Sequence, residues 1–159
     1  MKVLGLDLGQ TTGWAIGDRP SLSGTWKLKP TRFQSAGIRF AHFSRCLSEL
    51  YQIHKFDMIY YEEVRMHLGI DAGHAYGGYL AVLQMFCEER KIPYEGLGVG
   101  AIKKEAVGKG VASKDQMLDA AVKRFPSVNI TDHNHADALF VWALGMKRSS
   151  ASVVIDFSL

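Results

Sequence analysis

The sequence has 159 residues, 47% of them hydrophobic and 22% charged, which makes it one ordinary domain with material for a packed core, neither disordered nor fibrous. No apolar run approaches a membrane span, no basic and apolar leader opens the chain, and Cys46 and Cys87 stand apart in apolar surroundings without metal-ligand spacing. These features predict a cytoplasmic protein with reduced thiols and no membrane partner, and a net charge of +3 by itself identifies no partner.

Val3, Leu4 and Leu6 around Gly5 form a short apolar run suited to a buried strand, and Asp7 stands where the run ends. A carboxylate in that position needs a cation or several donors, so Asp7 asks for a partner such as a metal ion. Gly9 and Gly13 are read as turning the backbone tightly, with a second strand starting at Trp14. A turn at residues 19–21 then leads to a third strand over 24–29. Phe33, Ile38, Phe40, Phe43, Leu47, Leu50 and Ile53 recur at mostly helical spacing and predict an amphipathic helix over 32–54, with Pro30 and Thr31 at its entrance. A fourth strand over 56–61 ends at Glu62 and Glu63, the second place where acid follows a buried strand.

A helix is predicted over 70–91, and its small opening segment, 73–78, permits close approach of another helix or of a nucleic-acid backbone. A fifth strand follows over 93–97, then a short helix and a Gly-Lys-Gly loop within 98–110. Ser113 caps a helix reaching about Phe125, and a last helix runs from about His133 to Lys147. No repeat or linker divides the chain, so residues 1–148 form a single domain. Residues 149–159 are left open between a flexible tail and an edge strand.

Right-handed crossovers put the fourth strand beside the first and parallel to it, so Asp7 and Glu62 emerge at the same sheet edge. Strand alternation lets only one of Glu62 and Glu63 face that site, and Glu62 is taken as the inward one. Asp132 or Asn134 can cap the last helix, whose first turn presents His133, Asn134 and Asp137 on one face, while Ala136 and Ala138 let it sit close to the sheet. Asp7, Glu62 and Asp137 are hard oxygen ligands, which suit Mg²⁺ or Mn²⁺ better than zinc. Lysines gather from Lys103 to Lys114, and Gly108 and Gly110 leave room for a polyanion beside Lys109.

Residues 5–9 with Thr12, Gly13 and Trp14, then Tyr61, Glu62, Glu63 and Val64, then residues 134–139 together resemble the three acidic motifs of RuvC-type Holliday junction resolvases, particularly phage-type members. The resemblance spans residue 3 to about 147 and implies an α/β protein of RNase H-like fold. Its sheet would have five strands, three antiparallel then two parallel, flanked by helices on both faces. The implied activity is hydrolysis of phosphodiesters in branched DNA, four-way junctions above all, with flaps and forks as further substrates. It would be carried out by a homodimer through the 76–86 helix, in the cytoplasm of a bacterial cell. Two Mg²⁺ ions about 3.5 to 4 Å apart, replaceable by Mn²⁺, would share Asp7, with Glu62 and Asp137 completing the shells and 5′-phosphate ends produced.

The family's fourth ligand, commonly an acid or His, is Asn134 here, and His133 one residue earlier could act on the attacking water; Asp132 also stays open as the fourth group. Lys103 and Lys114 fall where the family carries DNA-contacting lysines, Lys104 and Lys109 extend that surface, and Tyr76 with residues 67–74 offers a wedge or stacking surface near the branch. Residues 7–13 also resemble the phosphate-binding hairpin of actin-like sugar kinases and ATPases, although those enzymes need two such domains. A DNA-binding protein with a decayed RNase H fold is the non-enzymatic alternative.

Overall fold

A computed structural model describes residues 1–18 and 22–156, so the expected turn at 19–21 lies outside the described residues. The elements are β1 (Val3–Asp7), β2 (Thr11–Gly17), β3 (Leu22–Lys27), α1 (Ile38–His54), β4 (Met58–Glu63), α2 (Ile70–Arg90), β5 (Tyr94–Gly98), α3 (Val99–Val107), α4 (Lys114–Arg124) and α5 (His133–Asp156). They build one mixed sheet in the order β3-β2-β1-β4-β5, with β1 antiparallel to β2, β2 antiparallel to β3, and β1, β4 and β5 parallel. This is the expected arrangement of a three-stranded meander joined to two parallel strands.

Each face of the sheet carries its own core. Leu4, Leu6, Ile16 and Ile59 pack with Phe43 and Leu47 of α1 and Tyr79 and Leu83 of α2, while Val3, Ala15 and Tyr60 pack with Ile102 of α3, Met117 of α4 and Leu139 and Phe140 of α5. The period-2 alternation of a strand therefore sends Leu4 and Leu6 one way and Val3, Gly5 and Asp7 the other. On β4, Ile59 and Tyr61 share the α1–α2 side, which leaves Tyr60 and Glu62 on the α5 side with Asp7.

Helix α5 lies unusually tight on the meander because glycine removes the side chains beneath it. A Cβ built on Gly13 would stand 1.9 Å from the Asn134 carbonyl oxygen and 2.9 Å from the Ala138 Cβ, and one on Gly5 would stand 2.5 Å from the Trp142 backbone nitrogen. Gly13 thus lies inside β2 as a seat for α5, and the expectation that it turns the chain is corrected: β2 begins two residues earlier, at Thr11. The turn is held by Thr12, whose hydroxyl donates to the Gly9 carbonyl at 2.8 Å. The small opening of α2 works as expected towards a helix, since a Cβ on Gly78 would meet the Phe40 ring of α1 at 2.3 Å.

Two helix ends differ from the spacing-based expectation. α1 starts at Ile38, not near Arg32, because Pro30, Ser35 and Gly37 interrupt the pattern and Phe33 is 84% exposed, so only Phe43, Leu47 and Leu50 anchor the helix. α5 continues past Lys147 to Asp156, carrying residues 149–156 in helical backbone where a flexible tail or an edge strand stood open. Ser149 ties that extension to the sheet through a 3.0 Å hydrogen bond with the Tyr60 hydroxyl. The α3–α4–α5 layer is locked by Glu105, whose carboxylate meets Arg124 at 2.6 Å and Lys147 at 2.7 Å. Both cysteines are free thiols, and among the described residues no helix is long and apolar enough to cross a membrane.

Candidate active site

Asp7 leaves the end of β1, Glu62 leaves the end of the adjoining parallel strand, and the register pairing Leu6 with Tyr61 brings them level. Asp7 is also paired across the hairpin with Gly13, the residue on which Asn134 is seated. The first turns of α5 therefore stand directly over Asp7, and Asp137 enters the same space. Glu62, Asp137, Lys103 and Lys114 line one cavity of about 190 Å³, closed below by Ile102, Ala112 and Met117. Glu63 points elsewhere and pairs with the exposed Arg65 at 3.2 Å, as strand alternation requires.

The three carboxylates share an electrostatic environment that disfavours their charge. Burial, then Glu62, Asp137 and Asp132, hold Asp7 well above the ordinary carboxylate range, with Lys114 opposing. Burial and then Asp137 push Glu62 up to about 7, with Lys103 opposing. Burial also raises Asp137, offset in part by His133, Lys103 and Lys114. Among the described residues, no hydrogen bond or ion pair reaches any of these three side chains. Carboxylates buried side by side without donors are costly unless a cation joins them. The carboxylates do not close on a common point: among the described residues, no group of three His, Cys, Asp or Glu is gathered tightly enough to hold an ion as it stands. The donor set, all carboxylate oxygen, nevertheless fits hard divalent cations.

The start of α5 is organised by Asp132. Its carboxylate accepts the His135 N–H at 2.9 Å, so Asp132, not Asn134, is the cap, and the same acid adds to the negative field on Asp7. The spacing Asp-x-x-His was the available sign of this cap. His135 is buried, with Nδ1 accepting from the Thr131 N–H at 3.2 Å just before α5 and Nε2 at 2.8 Å from the Ser23 hydroxyl of β3, so both ring nitrogens are engaged in structural contacts. His133 is the open one. Its Nδ1 lies 3.2 Å from the Lys114 carbonyl, an acceptor only, so Nδ1 donates and Nε2 is the ring nitrogen not used in that contact.

Of the residues expected on DNA, Lys103 and Lys114 border the carboxylates themselves, while Lys104 and Lys109 are exposed outside the cavity, Lys109 next to Gly108 at φ 81°. Tyr76 is corrected. Its ring is buried, its hydroxyl donates to the Glu62 carbonyl at 2.8 Å and accepts from the Val64 N–H at 3.1 Å, and the His67 ring packs against it, tilted by 45°, at 4.9 Å between centroids. It clamps the end of β4 beside Glu62 and is not a stacking surface. The exposed large hydrophobic side chains of that segment are Met66, Leu68 and Ile70.

No protein-family model and no curated protein matches this sequence. Solved structures match it in fold. Thermus thermophilus RuvC in complex with a Holliday junction substrate superposes with a TM-score of 0.71 at 19% identity, covering 89% of this chain and 90% of that one. A second T. thermophilus RuvC structure gives 0.72 at 18% identity over 89% and 90% of the two chains. The yeast mitochondrial Holliday junction resolvase Ydc2 gives 0.59 at 16% identity over 88% of this chain and 75% of its own. The chain therefore has the RNase H-like fold of RuvC, as its motifs implied.

Proposed function

We propose that this chain is a divalent-metal-dependent endonuclease acting on branched DNA, with four-way junctions as its main substrate. One observation carries the reading: Asp7, Glu62 and Asp137, far apart in the chain, come near enough for Glu62 and Asp137 to raise the Asp7 carboxyl and Asp137 that of Glu62, and among the described residues no hydrogen bond or ion pair reaches their side chains, although Lys103, Lys114 and His133 stand near. The fold shared with RuvC and Ydc2 supports the same conclusion.

Asp7 would hold the metal centrally, flanked by Glu62 on the neighbouring strand and Asp137 on α5, with Asn134 or Asp132 as a further oxygen donor. Mg²⁺ or Mn²⁺, once bound, supplies the charge that activates water and stabilises the leaving 3′-oxygen, leaving 5′-phosphate ends. Lys103 and Lys114, which border the same cavity, orient the scissile phosphate, and Lys104 and Lys109 hold phosphates further along the strand. His133 offers Nε2 to the proton of the attacking water. Met66, Leu68 and Ile70, exposed just beyond Glu63, are the surface that meets the branch point in place of Tyr76. Symmetric incision needs two such sites, and the exposed Met85 beside Val82 and Phe86 supports α2 as the face that joins two copies in the cytoplasm.

The test is a cleavage panel of four-way junctions, flaps, forks and linear duplex with Mg²⁺ or EDTA. Mg²⁺-dependent nicking of branched DNA with 5′-phosphate ends is expected. Junction binding without cleavage would favour a non-catalytic DNA-binding protein, and ATP hydrolysis without DNA cleavage would favour the actin-like alternative.

A further inference from the structure

Between Asp18 and Glu49 the chain contains no acidic residue, whereas 16 acids in 159 residues would put about three in those 30 positions (30 × 16/159). The same stretch holds Arg19, Lys27, Lys29, Arg32, Arg39 and Arg45, six of the chain's 19 Lys and Arg. Two of these side chains meet beside a histidine. Lys27, His42 and Arg45 line one groove of about 370 Å³ between β3 and α1, floored by Trp26 and Leu28. Lys29 follows Leu28, whose N–H donates to the Gln10 carbonyl at 2.7 Å, so the strip reaches the hairpin mouth three residues after Asp7. Arg32 lies 4.5 Å over the ring of the exposed Phe33. Arg39 lines a second cleft with Gln10 and His74, where Asp71 is the one acid; Glu49 lies one turn beyond Arg45. Among the described residues, Lys27, Lys29, Arg32 and Arg45 form no ion pair.

We propose that this strip, from the β3 edge across residues 28–37 to the first turns of α1, is a second phosphate-binding surface that holds a duplex arm of the DNA substrate. The inference rests on reading the chain as a nuclease of branched DNA. Sheet order supplies the geometry: β3 and β5 are opposite edges, with the acid-bearing β1 and β4 between them. Lys103, Lys109 and Lys114 follow β5, and the acid-free strip adjoins β3. The groove lies on the α1 side while Asp7 and Glu62 face α5, but Lys27 pairs with Thr11 at the sheet end that carries Asp7, so a polyanion running along that end would meet cations at both edges. A solvated face would tolerate interspersed acids, whereas a surface selected for phosphates excludes them.

The experiment compares four-way junction binding by the wild type, by the triple variant Lys29→Ala/Arg32→Ala/Arg45→Ala, and by the charge-retaining Lys29→Arg/Arg32→Lys/Arg45→Lys. Fluorescence anisotropy in EDTA from about 50 to about 200 mM salt reads the phosphate contacts directly. Three lost contacts lower the salt slope by about 2.7, so the fall in affinity across that range shrinks by about 40-fold in the alanine variant, while the charge-retaining variant follows the wild type. An unchanged slope in the alanine variant, or an equal loss in the charge-retaining one, overturns the proposal. Mg²⁺-dependent cleavage by the wild type is measured alongside. If the wild type cuts junctions and the alanine slope is unchanged, only this inference falls; if it does not cut, the nuclease reading falls whatever the slopes do.

Discussion

Replacing Glu62 by Gln should make the metal-free protein more stable at neutral pH. Burial and Asp137 push the Glu62 carboxyl up to about 7 in the folded chain, against an ordinary 4.5. Because the folded state holds this proton more tightly than the unfolded one, its contribution is fully present below pH 4.5 and is lost as pH rises through about 7. At about 1.4 kcal/mol per pH unit, that interval corresponds to about 3 kcal/mol. Asp7 and Asp137 are raised as well, so their contributions have the same sign. Gln keeps the shape of Glu without the charge. At about 2 to 4 °C per kcal/mol for a chain of this size, the variant should melt about 6 to 12 °C above the wild type at pH 8 in EDTA, and the gap should close towards pH 4.5. Mg²⁺ at about 1,000 times its Kd should reverse the order, since it stabilises the wild type by about 4.1 kcal/mol, more than the gap. A Gln variant that melts at or below the wild type at pH 8 without metal would refute the claim that this acid is buried without compensation.

Three further outcomes follow from the same packing. Asp7→Asn should abolish Mg²⁺-dependent cleavage while leaving junction affinity within a few-fold, because no lysine is touched; gel-shift and nicking assays on one preparation separate the two effects. Gly13→Ala should cost about 3 kcal/mol or more, since its Cβ would stand 1.9 Å from the Asn134 carbonyl oxygen and force α5 outward; melting and cleavage should both fall. Burial raises the Glu105 carboxyl, but hydrogen bonds from Lys147 and Arg124 more than offset this and hold it below its ordinary 4.5, so its contribution is present above pH 4.5 and lost as pH falls. Glu105→Gln should therefore lower stability by about 1 to 3 kcal/mol at pH 7, read by chemical denaturation, with the deficit shrinking in acid.

Much of the sheet was legible because strand alternation leaves strong marks. Leu4 and Leu6 against Gly5 and Asp7, and Ile59 and Tyr61 against Glu62, determine which acids face α5 without any knowledge of the helix. Asp137 was legible for a related reason, since Ala136 and Ala138 announce a helix held close to a sheet. Tertiary partners were not readable. Gly13 has the same composition signature whether it turns a hairpin or seats a helix, and only the position of Asn134 decides between the two. Tyr76 has a ring suited to stacking on a base, but its hydroxyl is within reach of the β4 backbone, and that contact spans 14 residues of chain. Phe33 continues the helical period of α1 yet finds no core to enter, so periodicity overran the helix start by six residues. Asp132 and His135 were visible as polar residues near a cap, whereas the tie from His135 to Ser23 joins positions 112 apart.

The most direct measurement of the central claim is anomalous scattering from crystals of this protein soaked in Mn²⁺. The account predicts a Mn²⁺ peak within about 2.3 Å of an Asp7 carboxylate oxygen and of at least one oxygen of Glu62 or Asp137, with those side chains drawn inward from their metal-free positions. Mn²⁺ bound elsewhere, or Asp7 left without an ion at saturating Mn²⁺, would contradict it.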